Sequence, residues 1–271
     1  MATLTNEGLF AVAERLRVQT LPLVLAVAPR HDSFSEWARA QEAAVAQLTE
    51  SGVFDSYGEV EPDLALAMYA LAQPDRELVA RIFVRPKDSE EGATRSVRVC
   101  LVRRGEQHAV AVRTDDTFVI QPIWCDGSGT ALARPMLAAL GTCAPAEVES
   151  CTALADELSR RLDAATTTGD YADALYALGV SGRDATTLGL AFESCYAYAE
   201  IVAYAHGDGI ATRSPGAVAV YDTGRGRLVA APGIAPDQRI WSTVTPGTDH
   251  RIAQAISALI ETLPGERWLQ P

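Results

Sequence analysis

The feature that most narrows the fold of this chain is a change of hydrophobic period that occurs twice. From Glu77 to Arg85 the residues alternate, with Leu78, Ala80, Ile82 and Val84 on one face and Glu77, Val79, Arg81 and Phe83 on the other. That alternation predicts a strand, because successive side chains of extended backbone point to opposite sides. Arg95 to Arg103, Gln107 to Arg113 and Thr117 to Ile123 continue the pattern, with turns at Gly105-Glu106 and Asp115-Asp116. A helix over about Pro62 to Gln73, with Leu64, Met68 and Leu71 inward, precedes the four strands, and a helix ending at Gly141 follows them. The same order recurs from about Arg183 to Leu263. Its strands occupy Tyr196 to Gly247, reversing at Asp208-Gly209 and again at Gly224 and Gly226, and the pair Pro246-Gly247 ends the last one. A final helix from Asp249 to Leu263 places Ile252, Ile256, Leu259 and Ile260 on one side.

Residue identity between the two copies is slight, so the repeat is one of pattern. It predicts an α+β fold of two pseudo-twofold related halves, with a central twisted antiparallel sheet flanked by helical bundles. The halves cover about 1–141 and 142–271 of one domain, 1–271. Ahead of the first strands, Thr5 can cap a helix from Asn6 to Arg17. Leu23 to Val27 reads as a buried strand, and Ser33 with Glu36 as the capping box of a helix closed by Gly52. In the middle, Val148, Cys151, Leu154, Leu158 and Leu162 fall three or four apart. They predict an amphipathic helix from Pro145 to about Ala165, the first of a helical bundle over 145–195.

Composition enters as a set of exclusions. A formal net charge of −12 argues against a nucleic-acid partner, because phosphate binding requires a basic surface, and equally against docking on anionic lipid. The longest apolar run, Leu21 to Ala28, is too short to cross a bilayer, and the first ten residues do not read as a signal peptide. Cys100, Cys125, Cys143, Cys151 and Cys195 are odd in number and irregularly spaced, which suits free thiols in a reducing cytosol.

The chain offers little that reads as chemistry. Asp126-Gly127-Ser128-Gly129 before a helix lacks the Gly-Lys-Ser/Thr end of a phosphate loop and reads as a loop and N-cap. Asp222-Thr223-Gly224-Arg225-Gly226-Arg227 has a superficial phosphate-loop look, yet hairpin chemistry explains it. His206 and Asp208 are without further ligands at metal-site spacing, and no Gly-x-Ser-x-Gly elbow is present. No catalytic, metal or cofactor residues are assigned. A carboxylate-based small-molecule enzyme or ligand-binding protein is the alternative reading, and it requires a deep pocket holding two perturbed ionisable groups.

The last 75 or so residues carry an ordered set of motifs. Tyr198-Ala199-Glu200-Ile201-Val202-Ala203 comes first, then Val220-Tyr221-Asp222-Thr223 with Gly226-Arg227-Leu228-Val229. Trp241-Ser242-Thr243-Val244-Thr245-Pro246-Gly247 and Leu263-Pro264 with Trp268 complete it. This set resembles the EspG family, the cytosolic chaperones of type VII (ESX) secretion in actinobacteria. Pro22-Leu23-Val24-Leu25, a helix ending near Gly52-Val53 and the Leu78 to Val84 strand agree with it more loosely. The resemblance implies a cytoplasmic, non-enzymatic chaperone that binds the apolar tip of a PPE-type client within a PE–PPE heterodimer, and is a monomer or weak homodimer when free. By family position the groove would use the loop Pro86 to Thr94, the strand faces beside it and the middle helices. Val79, Phe83, Asp88, Glu90, Glu91, Arg95, Arg98, Val102, Leu154 and Leu158 are its candidate contacts.

Overall fold

The computed structural model describes residues 1–85, 95–265 and 267–269. The chain divides into two compact units. Unit 1 comprises residues 1–79, 97–126 and 205–211; unit 2 comprises 80–96, 127–204 and 212–271.

Unit 1 begins with a short edge strand, β1 (Ala2–Thr5), which runs straight into helix α1 (Asn6–Arg15). The Thr5 hydroxyl accepts from Gly8 N at 3.1 Å, satisfying one of the free amides of the first turn. Leu23–Leu25 is a 3-10 turn rather than the expected strand, with Leu23 almost fully exposed and Val24 and Leu25 buried. A run that short pairs with no strand, and its carbonyls are taken up by arginine side chains, as described below. Ser33 caps α2 (Phe34–Glu50), accepting from Glu36 N at 3.2 Å. Glu61 and Pro62 start α3 (Pro62–Ala72).

The alternating segments form β2 (Arg76–Val84), β3 (Arg95–Arg104), β4 (Gln107–Thr114) and β5 (Thr117–Ile123). Their order in unit 1 is β1-β5-β4-β3-β2, with the paired strands antiparallel at Ala2↔Ile120, His108↔Ile123 and Val97↔Thr114. Gly105 and Asp115 turn the hairpins at positive φ, 58° and 53°.

Unit 2 holds the end of β2, residues 80–84, and then α4 (Gly129–Leu140), capped by Ser128. The predicted helix from Pro145 does not form as one piece. Cys151–Leu154 is an edge strand, β6, paired with the last strand of the sheet, and α5 (Ala155–Asp163) starts only after it. Then come α6 (Thr168–Ala177), with a Thr167–Asp170 capping box, and α7 (Gly182–Glu193). The strands β7 (Cys195–Gly207), β8 (Ile210–Arg213), β9 (Val218–Thr223), β10 (Gly226–Ile234) and β11 (Ile240–Pro246) lead to α8 (Asp249–Glu261). Asp208 and Gly209 turn β7 into β8 at φ 51° and 77°.

The strand order in unit 2 is β6-β11-β10-β9-β7-β2. Each half of the chain therefore follows one connectivity: an edge strand leading into a helix, two more helices, and then strands of which the last pairs with that edge. The repeat reaches further than the sequence pattern alone, because β1 and β6 are equivalent edges.

One face of the unit 2 sheet carries a hydrophobic core cluster built with α5, α6 and α7. Leu158, Leu175, Leu188 and Phe192 from α5, α6 and α7 pack with Leu228, Ala230 and Val244 from β10 and β11. Removing each large side chain of this set from water stabilises the fold by about 1.5–3 kcal/mol. Gly189 lets α7 approach α6 to backbone contact: a Cβ there would stand 3.0 Å from Ala172 N and Thr168 O. Likewise Gly129 admits α8 against the start of α4, where any Cβ would meet the Ala253 carbonyl and the Ser257 hydroxyl.

Candidate functional site

The helices α5–α7 pack on this sheet face along β9, β10, β11 and β6. On β7, alternation sends Ala197, Ala199 and Ile201 into the interior and leaves Tyr198 and Glu200 outside. Arg85 N donates to Tyr196 O at 2.7 Å, which brings Phe83 of β2 level with Tyr198. The two rings stack, with centroids 4.9 Å apart and planes 23° from parallel. Tyr198 is 43% exposed, although a neighbouring ring and a cross-strand tyrosine already hold it. That tyrosine, Tyr221 of β9, lies directly opposite Tyr198 in register. Phe192 of α7 meets Tyr221 edge-on at 5.3 Å, and Tyr171 of α6 stacks on Phe192 at 6.0 Å. Five rings thus run from solvent on the sheet into the helical layer, and all three of these ring–ring distances lie within the range where aromatic rings attract.

The phenols of this row are held neutral. Burial pushes Tyr221 up to about 12, aided by the negative fields of Cys195, Asp163, Tyr198 and Glu200. Tyr198 and Tyr171 shift the same way, first through burial, then through Glu200 and Asp163 for Tyr198 and through Cys195, Asp163 and Glu193 for Tyr171. Those carboxylates have partners on their own chain. Ser159 donates to Asp163 at 3.2 Å, Thr168 Oγ1 donates to Glu193, and Arg213 pairs with Glu200 at 3.4 Å.

The sequence-derived contacts divide. Phe83 lies on this face, and Arg95 is exposed at the start of β3. Val79 and Val102 are buried, 5% and 0% exposed, so neither can touch a partner in this conformation. Alternation marks which residues share a face but not whether another layer covers that face. Arg98 is committed inside unit 1: its Nη1 donates to Val24 O at 3.0 Å. Its cross-strand neighbour Arg113 donates to Leu25 O and Ala26 O at 2.7 and 2.6 Å. Together they satisfy the carbonyls of the 3-10 turn. Leu158 is a core residue of α5, and Leu154 is the half-buried residue at the junction of β6 and α5. Asp88, Glu90 and Glu91 lie outside the described residues. Tyr198 stands out in the sequence only as one of several strand aromatics; its exposure comes from where α5–α7 stop.

Two other polar groupings have structural partners. The Asp222 to Arg227 turn closes on itself: Arg227 Nε and Nη2 donate to the two Asp222 carboxylate oxygens at 2.5 and 2.8 Å. Both residues are 2% exposed, and Arg227 Nη2 also donates to Gly141 O. Its backbone ties together the segment before β6 and the turn before α8, through Ala144 O, Ala146 N and Gly247 N. The Arg227 donors Nε, Nη2 and N are thereby taken within the chain. In unit 1 the buried Glu77 carboxylate accepts from Cys100 Sγ at 3.6 Å and meets His206 Nε2 at 3.0 Å. Among the described residues no three His, Cys, Asp or Glu side chains are grouped to hold a metal, and no helix is long and apolar enough to cross a membrane.

Comparison with known proteins places this geometry. The model of the EspG family matches residues 5–258. ESX-1 secretion-associated protein EspG1 of Mycobacterium tuberculosis is 31% identical over 266 residues, covering 98% of this chain and 88% of that protein. EspG1 of Mycobacterium marinum is 30% identical over 266 residues, with 98% and 89% covered. ESX-3 secretion-associated protein EspG3 of Mycolicibacterium smegmatis is 29% identical over 267 residues, with 98% and 88% covered. The fold is that of the Mycobacterium tuberculosis type VII secretion system chaperone EspG5, solved in complex with a PE25–PPE41 dimer. The TM-score is 0.78 at 20% identity, over 97% of this chain and 96% of that one.

Proposed function

The chain belongs to the EspG family, and we propose that it is a cytosolic, non-enzymatic chaperone that docks the apolar end of a helical PE–PPE-type client. It keeps that client soluble and hands it to a type VII secretion system. In this reading the chain acts as one docking domain built of two halves, 1–141 and 142–271, and needs no cofactor. The observation that carries it is the uncovered aromatic face of unit 2, where Tyr198 remains exposed over Phe83 beside a helical layer. An exposed ring stacked on a half-buried one on a packed sheet is the kind of surface that protein partners bury. Against the carboxylate-enzyme alternative, the buried Asp222 is locked to Arg227, and the buried Glu77 is engaged by Cys100 and His206.

Co-expression with a PE–PPE pair from the organism that carries the chain tests the proposal. A soluble complex holding one copy of each of the three proteins on size exclusion with light scattering is expected. Client recovered only in the insoluble fraction, with the chain eluting alone, overturns it.

A further inference from the structure

We infer that Tyr198, backed by Phe83, is the central anchor of the docking face, and that the client residue seated on it is an uncharged apolar side chain. The inference rests on the chaperone reading and names what that reading leaves open: which residue dominates, and what chemistry it selects.

Three observations converge. The first is geometric. Tyr198 is stacked on Phe83 at 4.9 Å, faces Tyr221 in register, and is nevertheless 43% exposed. Tyr221 in turn is fixed by Phe192, and Phe192 by Tyr171. An aromatic ring held from behind loses little freedom when a partner arrives, and rigid aromatics of this kind dominate binding energy at interfaces.

The second is electrostatic. Among the described residues, the charged groups on the elements that carry or flank the rings include Asp163 at the end of α5, Glu193 at the end of α7, Glu200 on β7, Arg81 and Arg85 on and beside β2, and Arg213 on β8. They are three carboxylates and three guanidinium groups, of which Glu200 and Arg213 pair directly. Each carboxylate has a partner on its own chain: Asp163 has Ser159, Glu193 has Thr168, and Glu200 has Arg213. A charged client residue would have to displace such a partner for no net gain, whereas an apolar one meets the open face of the rings. Among the described residues the arrangement is an apolar centre with a rim carrying both signs of charge, as in interfaces whose affinity comes from a few central residues.

The third is protonation. A tyrosine phenol is neutral at physiological pH, and burial with the nearby Glu200 and Asp163 shifts Tyr198 further that way, so the anchor offers no anionic oxygen to a cation.

The test uses the co-expressed PE–PPE heterodimer as probe and measures its dissociation constant for variants of the full chain. Tyr198→Ala is expected to weaken binding by roughly 30-fold, the range of a central aromatic. Tyr198→Phe, which keeps the ring, stays within about twofold of the parent, and so does Glu200→Gln at the rim. Phe83→Leu, which keeps apolar volume but removes the stack, gives an intermediate loss; it also serves as the second variant if Tyr198→Ala fails to elute as a folded monomer. Raising NaCl from about 50 to about 500 mM changes the parent's affinity by less than about threefold, because no net charge is neutralised.

Unchanged affinity for Tyr198→Ala with the parent binding normally overturns the inference and leaves the chaperone reading standing. A steep loss on adding salt, or a large effect of Glu200→Gln, overturns it as well, because charge would then be selecting the client. Failure of the parent itself to bind removes the chaperone reading, and the inference falls with it.

Discussion

Removing one member of the Asp222–Arg227 pair isolates what this buried turn contributes. Both residues are 2% exposed, and the guanidinium makes two charge-assisted bonds to the carboxylate and one to Gly141 O. Asp222→Leu leaves Arg227 charged and out of water with a single carbonyl partner. Breaking a buried pair from one side costs about 3–5 kcal/mol. With a urea slope near 3 kcal/mol/M, the unfolding midpoint should fall by about 1–1.7 M. The double replacement Asp222→Leu with Arg227→Met removes both charges and refills the volume, so most of the loss should be recovered, because desolvating two ions offsets much of their attraction. The backbone bonds of Arg227 to Ala144, Ala146 and Gly247 survive both changes. Urea titration of the parent, both single variants and the double variant completes the cycle. A loss below about 1 kcal/mol for Asp222→Leu, or strict additivity in the double variant, would refute the claim that the two charges stabilise the fold as a unit.

Other outcomes follow from equally local features. Gly129→Ala should destabilise the chain by about 1–3 kcal/mol in the same assay, because the methyl group meets the Ala253 carbonyl and the Ser257 hydroxyl where α8 crosses α4. Arg113→Ala should accelerate amide exchange through residues 24–27, since the carbonyls of Leu25 and Ala26 lose their donor, while the core of unit 2 stays protected. Tyr221 ionises near 12 against an ordinary 10, so the folded state prefers its protonated form. The unfolded chain releases that proton first, and the tyrosine's stabilising contribution is therefore complete below pH 10 and lost as pH rises from about 10 to about 12. Phenolate absorbance and stability measured over that window should move together, and Tyr221→Phe should flatten the stability slope.

Turn chemistry and capping were legible in the chain because they are local. Asp208-Gly209, Gly105 and Asp115 all adopt the positive φ that their reversals require, and Thr5 and Ser33 cap the helices that follow them. The repeat was legible through its alternation, but its edges were not. β1 is four residues long and runs without a break into α1. β6 was hidden by a coincidence of spacing: Val148, Cys151, Leu154, Leu158 and Leu162 fit a helical stripe, although Cys151 and Leu154 lie on a strand opposite Val244 and Trp241. Strand pairing at long range decides such a case, and no local pattern records it.

Of the candidate contacts, Phe83 interrupts a charged face with a large ring, and the structure stacks it on Tyr198. Val79 and Val102 alternate just as Phe83 does, and only the layers packed over unit 1 place them inside. Arg98 has the composition of an interface residue, yet the Val24 carbonyl claims it. Tyr198 required the opposite information, namely that α5–α7 leave β7 uncovered.

Amide hydrogen exchange of the chain, free and bound to its PE–PPE heterodimer, tests the central claim most directly. The account predicts new protection along β7 over residues 196–202 and on β2 near Phe83, with the α4–α8 pair unchanged. Complex formation without protection at Tyr198 and Phe83, or protection confined to unit 1, would contradict it.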